Sequence, residues 1–150
     1  MLKKFFQNTV DAAKRYAPSS LTPEKRFAKA IISASSLLTM ADGKAEESEI
    51  EAASTIIFGH RSIKQFLTPA EAQEMYAMQI EKLQQANIKG KVPFSLEVNG
   101  LVAEIADSVA DRQWRAEVLE SAKMVGESNG NGRLGDDEQA ILKKLQTALA

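Results

Sequence analysis

Apolar residues recur every three or four positions along almost the whole of this 150-residue chain. That spacing puts them on one face of an α-helix, whereas a half-buried β-strand would need strict alternation of apolar and polar residues. No segment alternates for long enough to predict a strand. We therefore expect an all-α protein, a compact bundle of about seven helices. The predicted helices cover residues 2–16, 23–41, 45–58, 69–87, 96–110, 112–127 and 136–149.

Capping residues support several of these boundaries. Thr22-Pro23 and Thr68-Pro69 each place a hydroxyl at an N-cap and a proline at the first helical position. Glu71 completes a capping box after Thr68. Gly59 is typical of a helix end. The segment from Asn87 to Pro93, which contains Gly90, is predicted to be a connecting loop.

Composition limits the function classes. The length suits a single domain over residues 1–150, and the formal net charge of -1 offers no general attraction to nucleic acid. The chain has no cysteine, which excludes disulfides, thiolate metal sites and thiol nucleophiles. The longest apolar stretches are too short for a transmembrane helix. These features predict a cytoplasmic protein that does not bind nucleic acid.

The N-terminal segment has two open interpretations. Its apolar stripe and the basic residues around it suit an amphipathic helix. That helix either packs on the protein's own core or is a separate docking or membrane-surface helix within residues 1–20, with peripheral membrane contact through residues 1–16. The stripe consists of Leu2, Phe5, Phe6, Val10 and Ala13, and the basic residues are Lys3, Lys4, Lys14 and Arg15.

Two acidic segments share a spacing that suggests cation binding. Asp42-Gly43 and Asn131-Gly132 are each followed by a glutamate six residues after the glycine, Glu49 and Glu138. Glycine permits the sharp turn that wraps a chain around an ion, and the glutamate at the next helix start can point back into the loop. Oxygen ligands of this kind suit hard cations, so we expect calcium or another divalent cation here.

The second segment is similar to an EF-hand calcium loop. Residues 127–138 place oxygen donors at positions 1, 3, 5 and 12 and a glycine at position 6. These donors are Glu127, Asn129, Asn131 and Glu138. The first segment matches only half of this template, because Leu38 and Met40 would occupy positions 1 and 3, although Glu46 falls at position 9. In the alternative interpretation, both segments are acidic helix starts favoured by the helix dipole.

Further motifs resemble the tellurite-resistance TerB family. Met40-Ala41-Asp42-Gly43, followed by Glu47 and Glu49, resembles its first signature. Residues 123–130, leading into Asp136-Asp137-Glu138, resemble the second. The segments 2–6 and 95–109 also fall where that family would place them. The ligands carried over with this resemblance are Asp42, Glu47, Glu49 and Glu138. The second loop has asparagine where the family has aspartate, and either Asn129-Gly130 or Asn131-Gly132 is the equivalent pair.

The resemblance implies a compact helical fold with a pseudo-twofold pair of acidic metal loops. It also implies a non-enzymatic, metal-binding or scaffold module linked to tellurite resistance, stress or phage-related defence. Such a module works with membrane-associated protein partners, which would place it in the cytoplasm or at the inner face of the membrane. The predicted metal ligands are Asp42, Glu46, Glu47, Glu49, Glu127, Asn129, Asn131 and Glu138, and no catalytic residue is predicted.

Two other functions stay open. The chain is alternatively a metal-independent helical interaction or scaffold protein, in which the acidic loops only solubilise helix starts. A hydrolase with a catalytic metal is a third reading, and it would require the two loops to converge on one open pocket.

Overall fold

The computed structural model describes residues 15–129 and 132–150, except the side chain of Asn129. Within these residues every regular element is helical, which confirms the all-α prediction. A short 3-10 turn, Pro18–Ser20, precedes seven α-helices. They are α1 (Pro23–Thr39), α2 (Glu47–Gly59), α3 (Arg61–Phe66), α4 (Pro69–Lys89), α5 (Lys91–Ser108), α6 (Arg112–Asn129) and α7 (Asp136–Ala148).

Helix α1 is the centre of the bundle. Every residue from Phe27 to Met40 is buried, and α1 packs against each of the other six helices. A helix that is apolar or small on all sides is best placed inside the protein, because no face of it favours water. Its N-cap Thr22 accepts a hydrogen bond from the backbone N–H of Lys25 at 3.3 Å. The C-terminal end of α1 is buried as far as Met40 and leads into the loop that follows.

Aromatic and polar contacts attach the outer helices to α1. Phe27 stacks on Trp114 of α6, with ring centroids 4.5 Å apart, and meets Phe66 of α3 edge-on at 6.3 Å. Lys29 is buried, and its Nζ donates to the backbone oxygen of Tyr16 at 2.8 Å and to Glu104 at 2.9 Å. These bonds also hold the segment before α1 against the bundle.

The predicted loop from Asn87 to Pro93 is wrong. Helix α4 continues to Lys89 and α5 begins at Lys91, so that only Gly90 separates them. Gly90 has φ 134° and ψ 179°, a conformation open to glycine, and one such residue is enough to redirect the chain. Pro93 lies in the first turn of α5, where a missing N–H breaks no helical hydrogen bond.

Two further predictions concern the chain before α1 and the region after α2. The helix predicted over residues 2–16 lies almost entirely outside the described residues. Helix α3 was not predicted, because its six residues are too few to show a periodic pattern. Within the described chain, no helix is long and apolar enough to cross a lipid bilayer.

His60 joins α2 to α3 and caps α3. Its backbone is extended, and its Nδ1 accepts a hydrogen bond from the backbone N–H of Ser62 at 3.1 Å. Burial lowers the pKa of His60 below its ordinary 6.5, although the nearby charge of Glu117 acts in the opposite direction. Only an imidazole without a proton on Nδ1 can accept this bond.

We expect the free energy of unfolding to fall as the pH drops below 6.5. The unfolded chain binds a proton at His60 more readily than the folded chain, so the contribution is complete above the unfolded pKa and is lost as the pH falls through the folded pKa. The loss should reach about 1 kcal/mol, the usual value of an N-cap. Urea unfolding between pH 7.5 and 5.5, roughly the range in which histidine titrates, measures it.

His60→Asn is the matched control. Asparagine keeps a side-chain acceptor at the N-cap but does not titrate, and all carboxylates are common to both proteins. The variant should therefore lose less stability than the wild type over the same pH interval. Identical slopes would show that His60 does not titrate in this way.

Candidate cation-binding cleft

The two acidic loops meet beside the C-terminal end of α1. Side chains from both loops line one cleft of about 250 Å³. The first loop, residues 40–46, joins α1 to α2, and the second joins α6 to α7. The cleft is lined by Leu38, Thr39, Ala41, Asp42, Glu49, Gly135, Asp136, Asp137 and Glu138.

Gly43 makes the sharp turn of the first loop. Its φ is 82°, and its backbone N–H donates to the carbonyl oxygen of Met40 at 2.8 Å. The N–H of Lys44 donates to Oδ1 of Asp42 at 2.9 Å, which leaves the other carboxylate oxygen of Asp42 outside this turn. Glu49 follows in the first turn of α2 and is half-buried. The turn therefore brings Asp42 and Glu49 to the same cleft.

The second loop presents the first turn of α7. Gly132 has φ 86°, and its N–H donates to the carbonyl oxygen of Glu127 at 2.9 Å. Oε1 of Glu138 accepts from the backbone N–H of Gly135 at 2.9 Å, so Glu138 caps its own helix. Its Oε2 is buried. The cap fixes Glu138 while Asp136 and Asp137 extend from the same turn.

A glycine on α6 allows the second loop to lie against α1. A Cβ atom at Gly126 would stand 2.6 Å from Cδ2 of Leu134 and 3.0 Å from Cδ1 of Leu38. It would also lie 3.5 Å from Oε2 of Glu138. Gly126 leaves room for these leucine methyl groups, which a side chain at this position would have to displace in a close-packed interior. Gly126 is thus part of the reason that the two loops share one cleft.

The cleft concentrates negative charge. Five carboxylates line it, and none of the described residues that line it is basic. Like charges repel more strongly near protein than in bulk water, because the effective dielectric constant is lower. The N-terminal ends of α2 and α7 offset part of this repulsion through their dipoles. A bound divalent cation would offset more of it.

The structure brings together three of the predicted ligands and separates others. Asp42, Glu49 and Glu138 line the cleft, whereas the exposed Glu46 and Glu47 do not. Of the remaining predicted ligands, Glu127 and Asn129 belong to α6. The half-buried Glu127 lies 3.8 Å from Nζ of Lys123 and does not line the cleft. The side chain of Asn129 and the whole of Asn131 lie outside the described residues.

Asp136 and Asp137 line the cleft but were not predicted as ligands. The sequence shows that they precede Glu138 directly, at the start of a predicted helix. However, the EF-hand template assigns its ligands by loop position, and these two residues fall between its ligand positions. Whether these two side chains reach the cleft depends on the residue at which α7 begins.

The residue types fit a hard cation better than their present arrangement does. Carboxylate oxygens are the preferred protein ligands of calcium. Among the residues that the structure describes, however, no three Asp, Glu or His side chains are grouped closely enough to hold a metal ion. Binding would therefore require side chains in the cleft to change rotamer. Such changes are open to exposed carboxylates such as Asp42 and Asp137.

The known proteins provide no independent assignment for this chain. No family model matches it, and neither does any curated protein or solved structure. The resemblance to the TerB family stays a prediction from the motifs, and the functional argument rests on the cleft.

Proposed function

We propose that the protein is a TerB-like module that binds a divalent cation, calcium above all, between its two acidic loops. It acts through protein partners and not through catalysis. One observation carries the proposal. Carboxylates from segments that are distant in the sequence line a single cleft, and the described residues supply no basic side chain to it. A cation is the simplest ligand that compensates such a charge.

Five side chains would hold the ion. They are Asp42 from the first loop, Glu49 from the first turn of α2, and Asp136, Asp137 and Glu138 from the first turn of α7. Calcium accepts six to eight oxygens in irregular geometry and completes its shell with water, whereas magnesium demands a near-ideal octahedron. Ligands supplied by two separately held loops favour the more tolerant ion. When bound, the ion supplies positive charge that draws the starts of α2 and α7 together.

The size of the cleft favours ion binding over hydrolysis. Convergence of both loops is the condition that a metal hydrolase would also need. Small-molecule sites usually occupy about 300–1,000 Å³, whereas this cleft measures about 250 Å³. Its hydroxyl group, Thr39 Oγ1, donates to the backbone oxygen of Ser35 at 3.0 Å and is committed to the helix. The lining therefore offers ion ligands but little room for a substrate.

The role of the module follows from the family resemblance. We place it in tellurite resistance, stress or phage-related response, with membrane-associated proteins as partners at the cytoplasmic face. Residues 1–16 are a proposed second contact with these partners or with the membrane. The alternative is a metal-independent scaffold, in which acidic residues merely stabilise helix starts. Recovery of the same partners with and without a chelator separates the two functions.

Calorimetric titration with calcium tests the site itself. We expect the wild type to bind calcium with a dissociation constant below about 1 mM, in the range of weak calcium modules. Glu49→Gln and Asp137→Asn should each weaken binding roughly tenfold, because each removes one ligand charge, equivalent to about 1.4 kcal/mol. The two variants lie at the starts of different helices, α2 and α7, so a joint site must respond to both.

Glu47→Gln is the matched control for Glu49→Gln. Both residues lie in the first turn of α2, but Glu47 does not line the cleft. It should change calcium affinity less than about twofold, through long-range charge alone. If Asp137→Asn weakens binding and Glu49→Gln does not, the second loop binds alone and the joint cleft is wrong. Absence of any divalent binding below millimolar concentration would leave the scaffold function.

A further inference from the structure

The junction of α4 and α5 exposes three aliphatic side chains. Ile88 is 75% exposed, Val92 70% and Leu96 67%. Val92 and Leu96 are four residues apart on α5 and share one face, and Ile88 lies at the end of α4, just before Gly90. We call these three residues the aliphatic corner. Scattered exposed apolar residues are ordinary, but these three large ones fall within nine residues at one helix junction.

Lysines flank the aliphatic corner in the sequence. The stretch 82–96 contains Lys82, Lys89 and Lys91 and no acidic residue. All three lysines are exposed. Lys44, from the first loop, borders the same groove as Ile88. The N-terminal end of α5, an 18-residue helix, adds the positive end of its dipole.

The acidic residues nearest in sequence are less exposed than these lysines, although Glu81 lines the groove that Lys44 and Ile88 also line. Glu81 is only 8% exposed, and its Oε1 accepts from Nε2 of Gln85 at 3.1 Å. Glu97 is half-buried. The exposed charged residues of the stretch 82–96 are therefore all positive, although the chain as a whole has a net charge of -1.

We propose that the aliphatic corner docks on an anionic lipid surface. Aliphatic side chains that insert at the headgroup boundary and lysines that attract anionic headgroups are the two components of peripheral membrane binding. A stable protein interface takes roughly 20–30 residues from each side. The corner offers three apolar residues and their lysines, which is sufficient for lipid and small for a second copy of the chain. The contact differs from residues 1–16 and does not depend on cation binding.

Vesicle binding of the full-length chain in EDTA tests this contact. The wild type should sediment with vesicles of phosphatidylcholine mixed with phosphatidylserine, but not with pure phosphatidylcholine. Ile88→Ser/Val92→Ser/Leu96→Ser should weaken binding at least tenfold. Lys89→Gln/Lys91→Gln should weaken it about 25-fold, since each lysine near an anionic surface contributes about 1 kcal/mol, or fivefold. Met124→Ser and Lys64→Gln/Lys143→Gln, exposed elsewhere, are the matched controls and should bind like the wild type.

A single fluorophore locates the contact directly. The chain has no cysteine, so Val92→Cys can be labelled at one site with a polarity-sensitive dye. Its emission should shift to the blue on the anionic vesicles, and that of labelled Met124→Cys should not. The proposal is overturned if the wild type does not bind these vesicles or the dye at 92 does not shift. It is equally overturned if both corner variants bind like the wild type, which would assign binding to another segment, or if the corner only mediates self-association in ultracentrifugation.

Discussion

Gly43→Ala should lower the free energy of unfolding by about 2–3 kcal/mol, because two independent costs combine at this position. The backbone φ of 82° lies in the left-handed region, where a residue with a side chain costs about 1–2 kcal/mol. A Cβ at Gly43 would also clash with the amide of Asn87, whose Cγ would be 2.8 Å away. Overpacking of this kind typically adds about 1 kcal/mol or more.

Gly132→Ala separates the two costs. Gly132 has nearly the same φ, 86°, but no described atom would lie within 4 Å of its Cβ. We expect it to cost only the backbone share, about 1–2 kcal/mol. When Asn87 is already alanine, Gly43→Ala should cost only the backbone share, because the clashing amide is absent. The difference in the free energy of unfolding between Gly43→Ala/Asn87→Ala and Asn87→Ala measures this cost. Urea unfolding of the wild type and these four variants gives the free energies that the comparison needs. Equal losses for the two glycine variants would contradict a tight contact between the first loop and α4.

The same contact links the acidic loop to its surroundings. Asn87 precedes Ile88 of the aliphatic corner, and Gly43 follows Asp42 of the cleft. A distorted turn at Gly43 would move the carboxylate of Asp42, since Oδ1 is bonded to the N–H of Lys44. Gly43→Ala should therefore weaken calcium binding as well as stability. Gly132 offers no comparable packing contact among the described atoms.

The helices were predictable where local chemistry is strong. Thr22 and Thr68 cap the helices whose starts they predicted, and Glu71 completes the capping box. The prediction failed at the junction of α4 and α5, where the backbone conformation of one residue sets the direction of the chain. Seven residues around Gly90 suggested a loop, but a single glycine at φ 134° redirects the chain and lets both helices continue. Propensity describes segments, whereas this junction is set by one backbone conformation.

The candidate site was predictable in its parts but not in its assembly. The glycine turns predicted at Gly43 and Gly132 are present, each with positive φ. Their shared cleft depends in part on Gly126, which leaves room for the side chains of both Leu38 and Leu134, residues from distant segments. Periodicity and loop templates carry no information about such contacts. The spacing after the glycine selected Glu49, which lines the cleft, whereas the family resemblance added Glu47, which does not.

Calcium at a hundredfold excess over its dissociation constant should stabilise the protein by about 2.7 kcal/mol, because an ion that binds only the folded state shifts the equilibrium by mass action. For a chain of this length, that corresponds to a rise in Tm of about 5–10 °C. Thermal unfolding followed by circular dichroism, with calcium and with EDTA, measures the rise. Magnesium at the same concentration should give a smaller one.

Glu49→Gln/Asp137→Asn distinguishes ion binding from charge relief alone. Without calcium, this variant should be at least as stable as the wild type, because two of five crowded carboxylates are neutralised while both side chains keep their size. With calcium, it should gain little. If the cleft carboxylates were only helix-start residues, the substitutions would instead lower the stability of the metal-free protein, by about 0.3–1 kcal/mol for each charge removed from a first turn. The sign of the change in the free energy of unfolding, measured in EDTA, therefore distinguishes the two functions. A gain indicates that the carboxylates form a cation site, and a loss indicates that they stabilise helix starts through the helix dipole.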